Sequence, residues 1–410
     1  MPKDIINEKL IRAYALKNAI AHEGKANPGA VVSALFVEGL KREDVKEVMP
    51  TVTRVSIEVS RMKLEEQEKE FNQLRDMTSE REHREGLPEL PNVPKSGVVM
   101  RFAPAPSGPL HVGHIIAAMY SYLYFKKYGG KFYVRIEDTN PEKTSPDAYK
   151  AIKEDCDWLF ENKVTEYIIQ SERLKIYYDY AEKLIKSGDA YVCTCSTENF
   201  KKLADGKKDC PCRKISTKEN LDRWKNMLSK EKKTNYKEGE AVLRFKSGMQ
   251  DPNPAMRDFP LARINEHPHP RQKKKFRVWP LMNLSVTADD IEYGMTYIIR
   301  GKDHMDNAKR QKLMYAALGV ENKFPWTFFI GKIKFSDLDL SKRKIVAAIE
   351  RGDYEGWDDE KLPTIVSLRK RGYKPTAFMK LAEQRGLSEA DKVMSQKDFF
   401  SLLDLYNREE

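Results

Sequence analysis

Apolar residues recur at every third or fourth position over residues 4–83, with charged residues between them. IINEKLIRAYALKNAIAHEG and VSIEVSRMKLEEQEKEFNQLRDM show this spacing, which is typical of amphipathic helices. A proline-rich stretch, GLPELPNVPKSG at 86–97, then interrupts it. The pattern predicts an N-terminal helical appendage with its linker over residues 1–95.

The periodicity after the linker is that of a strand, a helix and a second strand. GVVMRF and KFYVRIED are short apolar runs, and HVGHIIAAMYSYLYFKKY between them has helical spacing and stops at Gly129-Gly130. These three elements form a βαβ unit, whose strands are parallel and whose crossover is right-handed. The fold class is therefore predicted as α/β with a parallel sheet.

The rest of the chain divides by further changes of pattern. SPDAYKAIKEDCDWLF predicts a helix with Ser145 as its cap and Pro146 in its first turn, and SERLKIYYDYAEKLIKSGDA predicts another. The apolar-rich run 278–300 predicts strands. The predicted boundaries are 96–192 for the first half of the sheet domain, 193–265 for an inserted subdomain with short strands, 266–335 for the second half, and 336–410 for a polar helical region.

Length, composition and charge limit the class of protein. A chain of 410 residues with 40% hydrophobic residues is long enough for about two or three globular domains. Its 73 lysines and arginines against 62 aspartates and glutamates give a net charge of +11, which favours an anionic partner such as nucleic acid, with a solvated basic surface as the alternative. The chain has no apolar run that could span a membrane and no signal core, so we expect a soluble, cytoplasmic protein.

The segment RFAPAPSGPLHVGH, residues 101–114, carries the first candidate chemistry. A turn rich in proline and glycine at the carboxyl end of a parallel strand is where open α/β sheets bind ligands. The helix that begins near His111 offers backbone N–H groups and its dipole to an anion, and Gly113 leaves room for a flat ring. His111 and His114 share one face of the first turn. The arrangement suits a polyphosphate with a stacked base, and helix capping or metal binding by the two histidines are the alternatives.

PLHVGH resembles the HIGH signature of class I aminoacyl-tRNA synthetases. RFAPAPSGPLHVGH, RIEDTNP, DDIEYGMTYIIRGKDH and DLSKRK, in this order, are similar to the motifs of the glutamyl/glutaminyl branch and nearest to archaeal-type glutamyl-tRNA synthetases. The resemblance covers residues 95–410. It implies a Rossmann-type catalytic domain with an inserted acceptor-stem-binding subdomain and a C-terminal helical junction.

The family's reaction joins glutamate to ATP, which comes with Mg²⁺, and then passes the glutamyl group to the terminal ribose of tRNA. Because the substrate carboxylate attacks the α-phosphorus, the protein only positions groups and stabilises charge on phosphoryl oxygens. The resemblance makes His111 and His114 the donors on one side and Lys342, in the KMSKS-like DLSKRK, the cation on the other. The implied ATP-binding residues are Ala105, Ser107, Gly108, His111, Gly113, His114, Ser341 and Lys342.

The DLSKRK segment departs from the family pattern. Asp339 and Leu340 replace the first lysine and the methionine, so the closing contacts of the loop are left open. Without the family context, a lysine-rich solvated turn is the simpler interpretation. The altered loop favours one rival function, a catalytically silent tRNA-binding scaffold. The nearer rival is a glutaminyl-tRNA synthetase.

The resemblance also implies a glutamate pocket. Arg101 faces the substrate carboxylate, Glu137 holds the α-ammonium, and Arg300 is a second arginine typical of the glutamyl enzymes. Bidentate arginine–carboxylate pairing favours glutamate over neutral glutamine. Met282 stands where the family usually has a tyrosine, and Tyr297 stands where it commonly has a histidine, so side-chain recognition differs locally. From the residues alone, Arg101 could pair with a surface carboxylate and Glu137 could cap a turn.

Four of the five cysteines occur as two close pairs, CTC and CPC. Four thiolates can close a tetrahedral zinc shell and organise a small lobe that lacks a core. The predicted ligands of a structural zinc are Cys193, Cys195, Cys210 and Cys212. Each pair is one residue tighter than the common C-x₂-C, so unliganded thiols are the alternative. Cys156 lies on a helical apolar face and is expected to pack in the core.

A basic segment, HPHPRQKKKFR at 267–277, lies between the insertion and the returning sheet. In the related enzymes the insertion grips the acceptor end of tRNA, so the segment is a candidate phosphate track with Phe276 for packing or stacking, or else a solvated loop. Its two histidines have no partner identifiable from sequence. The final FFSLLDLYNREE lies close to where family members continue into anticodon-binding β-barrels, so we expect weakened affinity for cognate tRNA.

Overall fold

The computed structural model divides into two units, Met1–Arg84 and Glu85–Glu410. It describes residues 6–79, 86–231, 233, 235–337 and 342–408, except the side chains of Arg42, Lys342 and Arg343. Each unit has a hydrophobic core of its own. Within these ranges, no helix is long and apolar enough to cross a bilayer.

The first unit is helical in its described part. Its helices are α1 (Glu8–Ala21), α2 (Pro28–Leu35), α3 (Val45–Ser60) and α4 (Leu64–Leu74). The side chain of Asn7 caps α1 by accepting from the N–H of Leu10, and buried Leu16 and Val55 lie in a core that α1 forms with its neighbours. The predicted helical character is confirmed here, and the domain boundary at residue 95 stays a prediction.

The second unit alternates strands and helices. Its strands are β1 (Val98–Phe102), β2 (Gly130–Ile136), β3 (Glu166–Ile169), β4 (Ala190–Cys193), β5 (Val242–Phe245), β6 (Pro260–Ile264), β7 (Val278–Pro280), β8 (Tyr297–Gly301), β9 (Trp326–Ile330), β10 (Ile333–Phe335) and β11 (Lys392–Met394). Its helices are α5 (Val112–Tyr128), α6 (Ala148–Leu159), α7 (Leu174–Ser187), α8 (Thr197–Asp205), α9 (Thr217–Leu228), α10 (Met282–Glu292), α11 (Met305–Ala317), α12 (Lys342–Glu350), α13 (Ile365–Lys370), α14 (Pro375–Arg385) and α15 (Gln396–Arg408).

Parallel strands form the centre of the second unit. β1, β2 and β3 pair in parallel in that order, and β8 and β9 pair in parallel beside them. Thr296 joins the two groups, because its N–H donates to the Val99 carbonyl (3.0 Å) and its Oγ1 accepts from the Val99 N–H (2.8 Å). The strand order is therefore β3-β2-β1-β8-β9, and helices α5, α6 and α11 make the connections. The predicted α/β class with a Rossmann-type parallel sheet is confirmed.

Helix α5 carries the predicted histidines into the sheet domain. It is buried on nearly every side because it lies between the parallel strands and α14. Gly129 ends it with a φ of 69°, as predicted. A side chain at Gly130 would collide with the backbone, since a Cβ there would lie 2.1 Å from the Val98 carbonyl oxygen. This glycine lets β2 begin directly after α5 and pair in register with the start of β1.

A second sheet is antiparallel and contains β4, β5, β6 and β7 in that order. Trp224 of α9 and Trp279 of β7 are fully buried in its core, where α7 and α10 also pack. The sheet runs from Ala190 to Pro280 and is therefore wider than the predicted insertion of 193–265. The limits of the insertion stay a prediction.

Two local expectations were wrong. The run 278–300, predicted as strands, contains α10 between β7 and β8. Apolar and polar residues alternate from Met282 to Asp289, which is the spacing of a strand, and residues 283–290 of α10 are all buried whatever their polarity. Helix α6 begins at Ala148 after Asp147, not at the predicted Ser145 cap.

Candidate active site

A cavity of about 520 Å³ lies at the carboxyl ends of β1, β2, β8 and β9. Because parallel strands end at the same edge of a sheet, residues from distant parts of the sequence meet there. The start of α5 and the start of α10 complete the wall. Seven of the predicted site residues line it: Arg101, His111, Gly113, His114, Glu137, Met282 and Arg300.

The two imidazole rings lie side by side at the start of α5. Their centroids are 3.8 Å apart. His111 Nδ1 accepts from the backbone N–H of Gly113 (3.1 Å), and His114 Nδ1 accepts from the backbone N–H of His111 (3.3 Å). Since each Nδ1 accepts a hydrogen bond, the proton of each neutral ring is on Nε2. The pair therefore offers two Nε2–H donors to a ligand in the cavity.

Both rings are neutral at physiological pH. They lie against densely packed protein at the cavity wall, and this desolvation lowers the pKa of His111 to about 3, with a further contribution from His114. Desolvation likewise lowers the pKa of His114 to about 4. This residue is still exposed to water on the side that lines the cavity. Neutral imidazoles donate hydrogen bonds without adding charge to the site.

The first turn of α5 differs from the expectation of free backbone N–H groups. The N–H of Val112 donates to the Pro363 carbonyl (3.1 Å), and that of His114 donates to the His111 carbonyl (2.9 Å). The imidazole nitrogens take the N–H groups of His111 and Gly113. The expectation was therefore wrong for these four groups. The two histidines both cap the helix and line the cavity wall, so the two interpretations are compatible. The partial positive charge of the helix start lies behind the imidazole rings, which face the ligand space.

The opposite wall contains a buried chain of ion pairs. Arg101 is held by Asp290 of α10, with Nε to Oδ1 at 2.8 Å and Nη2 to Oδ2 at 3.2 Å. Arg135 of β2 donates to Asp290 Oδ1 (2.5 Å) and to Glu137 Oε1 (3.0 Å). The alternative of a surface partner for Arg101 is wrong, since the side chain of Asp290 is only 3% exposed.

Arg300 at the end of β8 is a different kind of cation. Its Nη1 donates to Gln311 Oε1 (2.9 Å), and its Nε has no hydrogen-bond partner in the described part of the chain. Across the same residues, no carboxylate lies within ion-pair distance of it. Burial first, and repulsion from Arg101 second, lower the pKa of Arg300 to about 10, so it is still charged at neutral pH. It can pair with an incoming carboxylate.

A second cavity of about 360 Å³ adjoins the first and shares Glu137 and Met282 with it. The predicted residues Ala105 and Ser107 line this second cavity. Two buried polar atoms in its wall, Trp279 Nε1 and Asn140 Oδ1, have no partner among the residues described. Buried polar atoms without partners indicate a place where a ligand or water binds.

Residues 97–406 match the family model for the catalytic domain of class I tRNA synthetases (E and Q). The chain belongs to this family. Its predicted membership in the class I synthetases is thereby confirmed. The match includes the first cavity, both histidines and the buried ion pairs.

Curated relatives support the same assignment. The glutamate–tRNA ligase of Methanocaldococcus jannaschii is 42% identical over 396 residues, which are 96% of this chain and 70% of the relative. That of Pyrococcus furiosus is 44% identical over 398 residues, or 95% of this chain and 68% of the relative. A crystal structure of a glutamate tRNA ligase from Elizabethkingia meningosepticum, in complex with its amino acid, aligns with a TM-score of 0.53 at 20% identity over 76% of this chain and 69% of that chain. The structural likeness shows the shared synthetase fold.

Three predicted ATP-binding residues of this synthetase domain are not found in the cavity walls of the described part of the chain, for two different reasons. Gly108 is in the turn before α5 and lines neither cavity. Ser341 and the side chain of Lys342 lie outside the described residues, as do Asp339 and Leu340 of the same segment. The contacts of the DLSKRK segment therefore stay a prediction.

Two departures from the synthetase family pattern have different positions. Met282 lies in the walls of both cavities. Its thioether cannot donate the hydrogen bond that a tyrosine hydroxyl supplies. Tyr297 is 4% exposed and does not line the first cavity, because its hydroxyl donates to the Pro91 carbonyl (2.7 Å). Of the two, Met282 is the one placed to change substrate contacts.

The cysteine pairs meet in space. The Sγ atoms of Cys193, Cys195, Cys210 and Cys212 all lie within 4.8 Å of one another. Sγ of Cys210 is 3.6 Å from those of both Cys193 and Cys195. Four thiolates around one zinc at the usual Zn–S length are about 3.8 Å apart, so the set fits a tetrahedral shell. Cys156 is buried in the sheet-domain core, as expected.

The basic segment 267–277 is less free than predicted. The structure supplies the partners that could not be identified from sequence: His269 is buried, with Nε2 2.9 Å from the Asp138 carbonyl and its ring stacked on Trp279, and Nδ1 of His267 is 3.1 Å from the Pro268 carbonyl. Arg277 is buried too, and donates to three backbone carbonyls and to a glutamate. Phe276 packs against the core of the antiparallel sheet. The exposed lysines are Lys273, Lys274 and Lys275.

Sequence reasoning missed several residues of the site. Asp290 and Arg135 form the buried ion pairs, and His304 and Lys332 line the first cavity. Asp290 and His304 belong to the quoted motif DDIEYGMTYIIRGKDH, so the motif itself was a signal. Arg135 is the first residue of the quoted RIEDTNP, two positions before Glu137, but a buried arginine in an apolar strand has no distinctive spacing.

Proposed function

We propose that this chain is a glutamate–tRNA ligase, which forms glutamyl-adenylate from glutamate and ATP and passes the glutamyl group to tRNA. The observation that carries this proposal is a single cavity with two neutral Nε2–H donors on one wall and arginines with an acidic residue on the other. The curated relatives are glutamate–tRNA ligases over most of this chain. We place the reaction in the cytoplasm, where tRNA is charged.

In the first step, the α-carboxylate oxygen of glutamate attacks the α-phosphorus of ATP, and the bond to the leaving pyrophosphate breaks. His111 and His114 stabilise the charge that builds on the phosphoryl oxygens through their Nε2–H groups. Lys342 is the proposed cation over the pyrophosphate. Mg²⁺ enters with ATP. The apolar residues Ile116, Ile330 and Ile333 in the same wall suit the face of the adenine base.

Three side chains bind glutamate in this proposal. Arg101 and Arg300 pair with its carboxylates, and Glu137 accepts from the ammonium. Glu137 is fixed for this role by Arg135, and its side chain is 17% exposed toward the ligand space. Met282 provides apolar contact for the methylene groups. Two arginines favour glutamate, which has two carboxylates, over glutamine, whose side chain ends in a neutral amide.

In the second step, a terminal ribose hydroxyl of tRNA attacks the carbonyl carbon of the adenylate, and AMP leaves. The acceptor nucleotide therefore has to reach the reacting carbonyl. The second cavity adjoins the first at Glu137 and Met282, and its unpartnered Trp279 Nε1 and Asn140 Oδ1 suit a nucleoside. Lys273, Lys274 and Lys275 are exposed and form the proposed phosphate track toward it.

We also propose a structural zinc ion on Cys193, Cys195, Cys210 and Cys212. The support is geometric, since the four Sγ atoms all lie within 4.8 Å of one another. Zinc would supply cross-links between β4 and the turn at Cys210. The ion takes no part in the reaction.

The test is a charging assay with glutamate and glutamine, each with glutamate tRNA and glutamine tRNA. We expect charging of glutamate tRNA with glutamate. ATP–pyrophosphate exchange in the presence of tRNA gives the amino acid used in the first step. Exchange stimulated only by glutamine would reassign the protein to the glutaminyl branch.

The Lys342→Ala variant separates a ligase from a silent tRNA-binding scaffold. Because the lysine contributes only in the transition state, its loss should lower kcat about a hundredfold and leave tRNA binding unchanged. Unchanged charging by this variant would refute the assigned role. Absence of charging by the wild-type chain with every tRNA would favour the scaffold.

A further inference from the structure

Two residues proposed to bind glutamate, Arg101 and Glu137, are connected by one carboxylate and one arginine behind the cavity wall. Asp290 takes both the Nε and the Nη2 of Arg101. Its Oδ1 also accepts from Arg135, whose second nitrogen holds Glu137. The chain Arg101–Asp290–Arg135–Glu137 is thus unbroken, and Arg135 is completely buried.

This pairing fixes the direction of the Arg101 guanidinium. A guanidinium held at Nε and Nη2 by one carboxylate is locked in plane, and its Nη1 is the nitrogen left for a ligand. Asp290 does not line the cavity, so it acts behind the substrate-binding residue. A binding side chain is effective only when the groups behind it hold its position.

The ion pairs also set the charge of the pocket. Arg101, Arg135 and Arg173 are linked to Asp289, Asp290 and Glu137 by ion pairs, so this cluster is neutral. Burial alone would raise the pKa of Asp290, but Arg101 and Arg135 hold it below its ordinary value, and the carboxylate stays ionised. Arg300 then adds a positive charge beside the neutral cluster, and Arg385 adds another to the same cavity wall. Glutamate, with a net charge of −1, is therefore attracted more strongly than neutral glutamine.

We propose that Asp290 is the positioning residue of the glutamate pocket, which aims Arg101 at the substrate carboxylate and, through Arg135, fixes Glu137 for the ammonium. The inference rests on the proposed function. It adds a specificity-determining residue that touches no substrate. If Asp290 had a purely structural role, its replacement would affect glutamate binding no more than replacement of another buried carboxylate of α10.

The neighbouring Asp289 provides the matched control. It is equally buried in α10, but it faces Gln170, Arg173 and Tyr177 and makes no contact with Arg101. Its shortest contact with the four ion-paired residues is between its Oδ2 and Arg135 Nε, which are 3.8 Å apart. The same substitution at either position adds one methylene group to a buried ion pair.

The experiment compares Asp290→Glu with Asp289→Glu in tRNA charging, with separate titrations of glutamate and ATP. Asp290→Glu keeps the charge and displaces the guanidinium. We expect the KM for glutamate to rise about tenfold or more, with kcat within about threefold and the KM for ATP unchanged, because only the glutamate-binding groups move. The preference for glutamate over glutamine should fall. Asp289→Glu should leave the KM for glutamate within about threefold.

Thermal unfolding of both variants identifies loss of fold. If Asp290→Glu does not fold, Arg135→Lys tests the same chain, because a lysine keeps the charge but cannot bridge Asp290 and Glu137 as a fork. A folded variant of either kind with a wild-type KM for glutamate overturns the inference. Equal effects of Asp289→Glu and Asp290→Glu on that KM also overturn it. Failure of the wild-type chain to charge tRNA with glutamate would instead refute the proposed function.

Discussion

The histidine pair works through uncharged donors. A charged imidazole beside Arg300 and Arg101 would add repulsion to a site that already has excess positive charge. Desolvation keeps both rings neutral, and acceptance of backbone N–H bonds by Nδ1 fixes the tautomer. Geometry rather than acid–base chemistry is therefore their contribution, as expected for a reaction in which the substrate supplies the nucleophile.

The titration of His111 and His114 checks this account. NMR of the ring protons, assigned with the variants His111→Gln and His114→Gln, should show no titration of either ring between pH 8 and pH 5, because their pKa values lie at about 3 and about 4. In the unfolded chain both imidazoles take up protons near the ordinary histidine pKa of about 6.5. The stability that the folded protein gains from neutral rings is therefore fully present above that pH. It is lost progressively as the pH falls toward 4. A midpoint near 6.5 in the folded protein would contradict the prediction.

Single residues of the site differ in how far the sequence reveals them. Family motifs identify His111, Glu137 and Arg300 because they occur at fixed places in short segments. Asp290 is invisible as a partner of Arg101, since the two are 189 positions apart and only the folded sheet brings them together. Long-range ion pairs of this kind have no local spacing, so their roles follow from the structure alone.

At the scale of elements, strand–turn–helix units could be predicted, and a buried helix with alternating polar and apolar residues could not. The succession β1–α5–β2 follows from periodicity and from the glycines after Tyr128. Helix α10 was mistaken for strands because polar and apolar residues alternate from Met282 to Asp289, and β3 and β11 are too short to give a pattern of their own. The predicted insertion with short strands could be recognised only by the change of pattern, so its limits could not be drawn.

The cysteine lobe illustrates an element that lacks a large core. Its cluster of buried residues is small, with Tyr191, Phe200 and Met249 besides the cysteines. Such a lobe needs a further cross-link to be stable, and four thiols at metal-binding distance provide one. The lobe directly follows β4, an edge strand of the antiparallel sheet, so a well-ordered lobe also fixes the end of that strand.

Removal of one thiol tests this interpretation. Protein purified without added metal should contain about one equivalent of zinc, and Cys210→Ser should lose it, since three thiolates leave the tetrahedral shell open. Local hydrogen exchange at residues 193–212 should increase. Cys156→Ala serves as the control, because Cys156 lies in the other core and its loss should leave the zinc content unchanged. Retention of zinc by Cys210→Ser would show that the cluster is not the metal site.

The whole molecule has two units with separate cores, and this organisation has a consequence for its chemistry. The core of the first unit is made of residues from Ile6 to Met77, and the cores of the second begin at Leu87, within the described residues. Every residue assigned to the two cavities belongs to the second unit. Each unit therefore has a buried apolar core of its own, and burial of apolar surface dominates folding.

We accordingly predict that a chain of residues 85–410 folds and activates glutamate without residues 1–84. It should unfold cooperatively, and its KM values for glutamate and ATP should lie within about threefold of those of the full chain, because no cavity residue is removed. Circular dichroism, thermal unfolding and tRNA-dependent ATP–pyrophosphate exchange are the measurements. A chain of residues 1–84 is the complementary control and should be helical and monomeric on its own. An aggregated or inactive 85–410 chain, beside an active full-length protein, would mean that the first unit contributes to the stability or the site of the second.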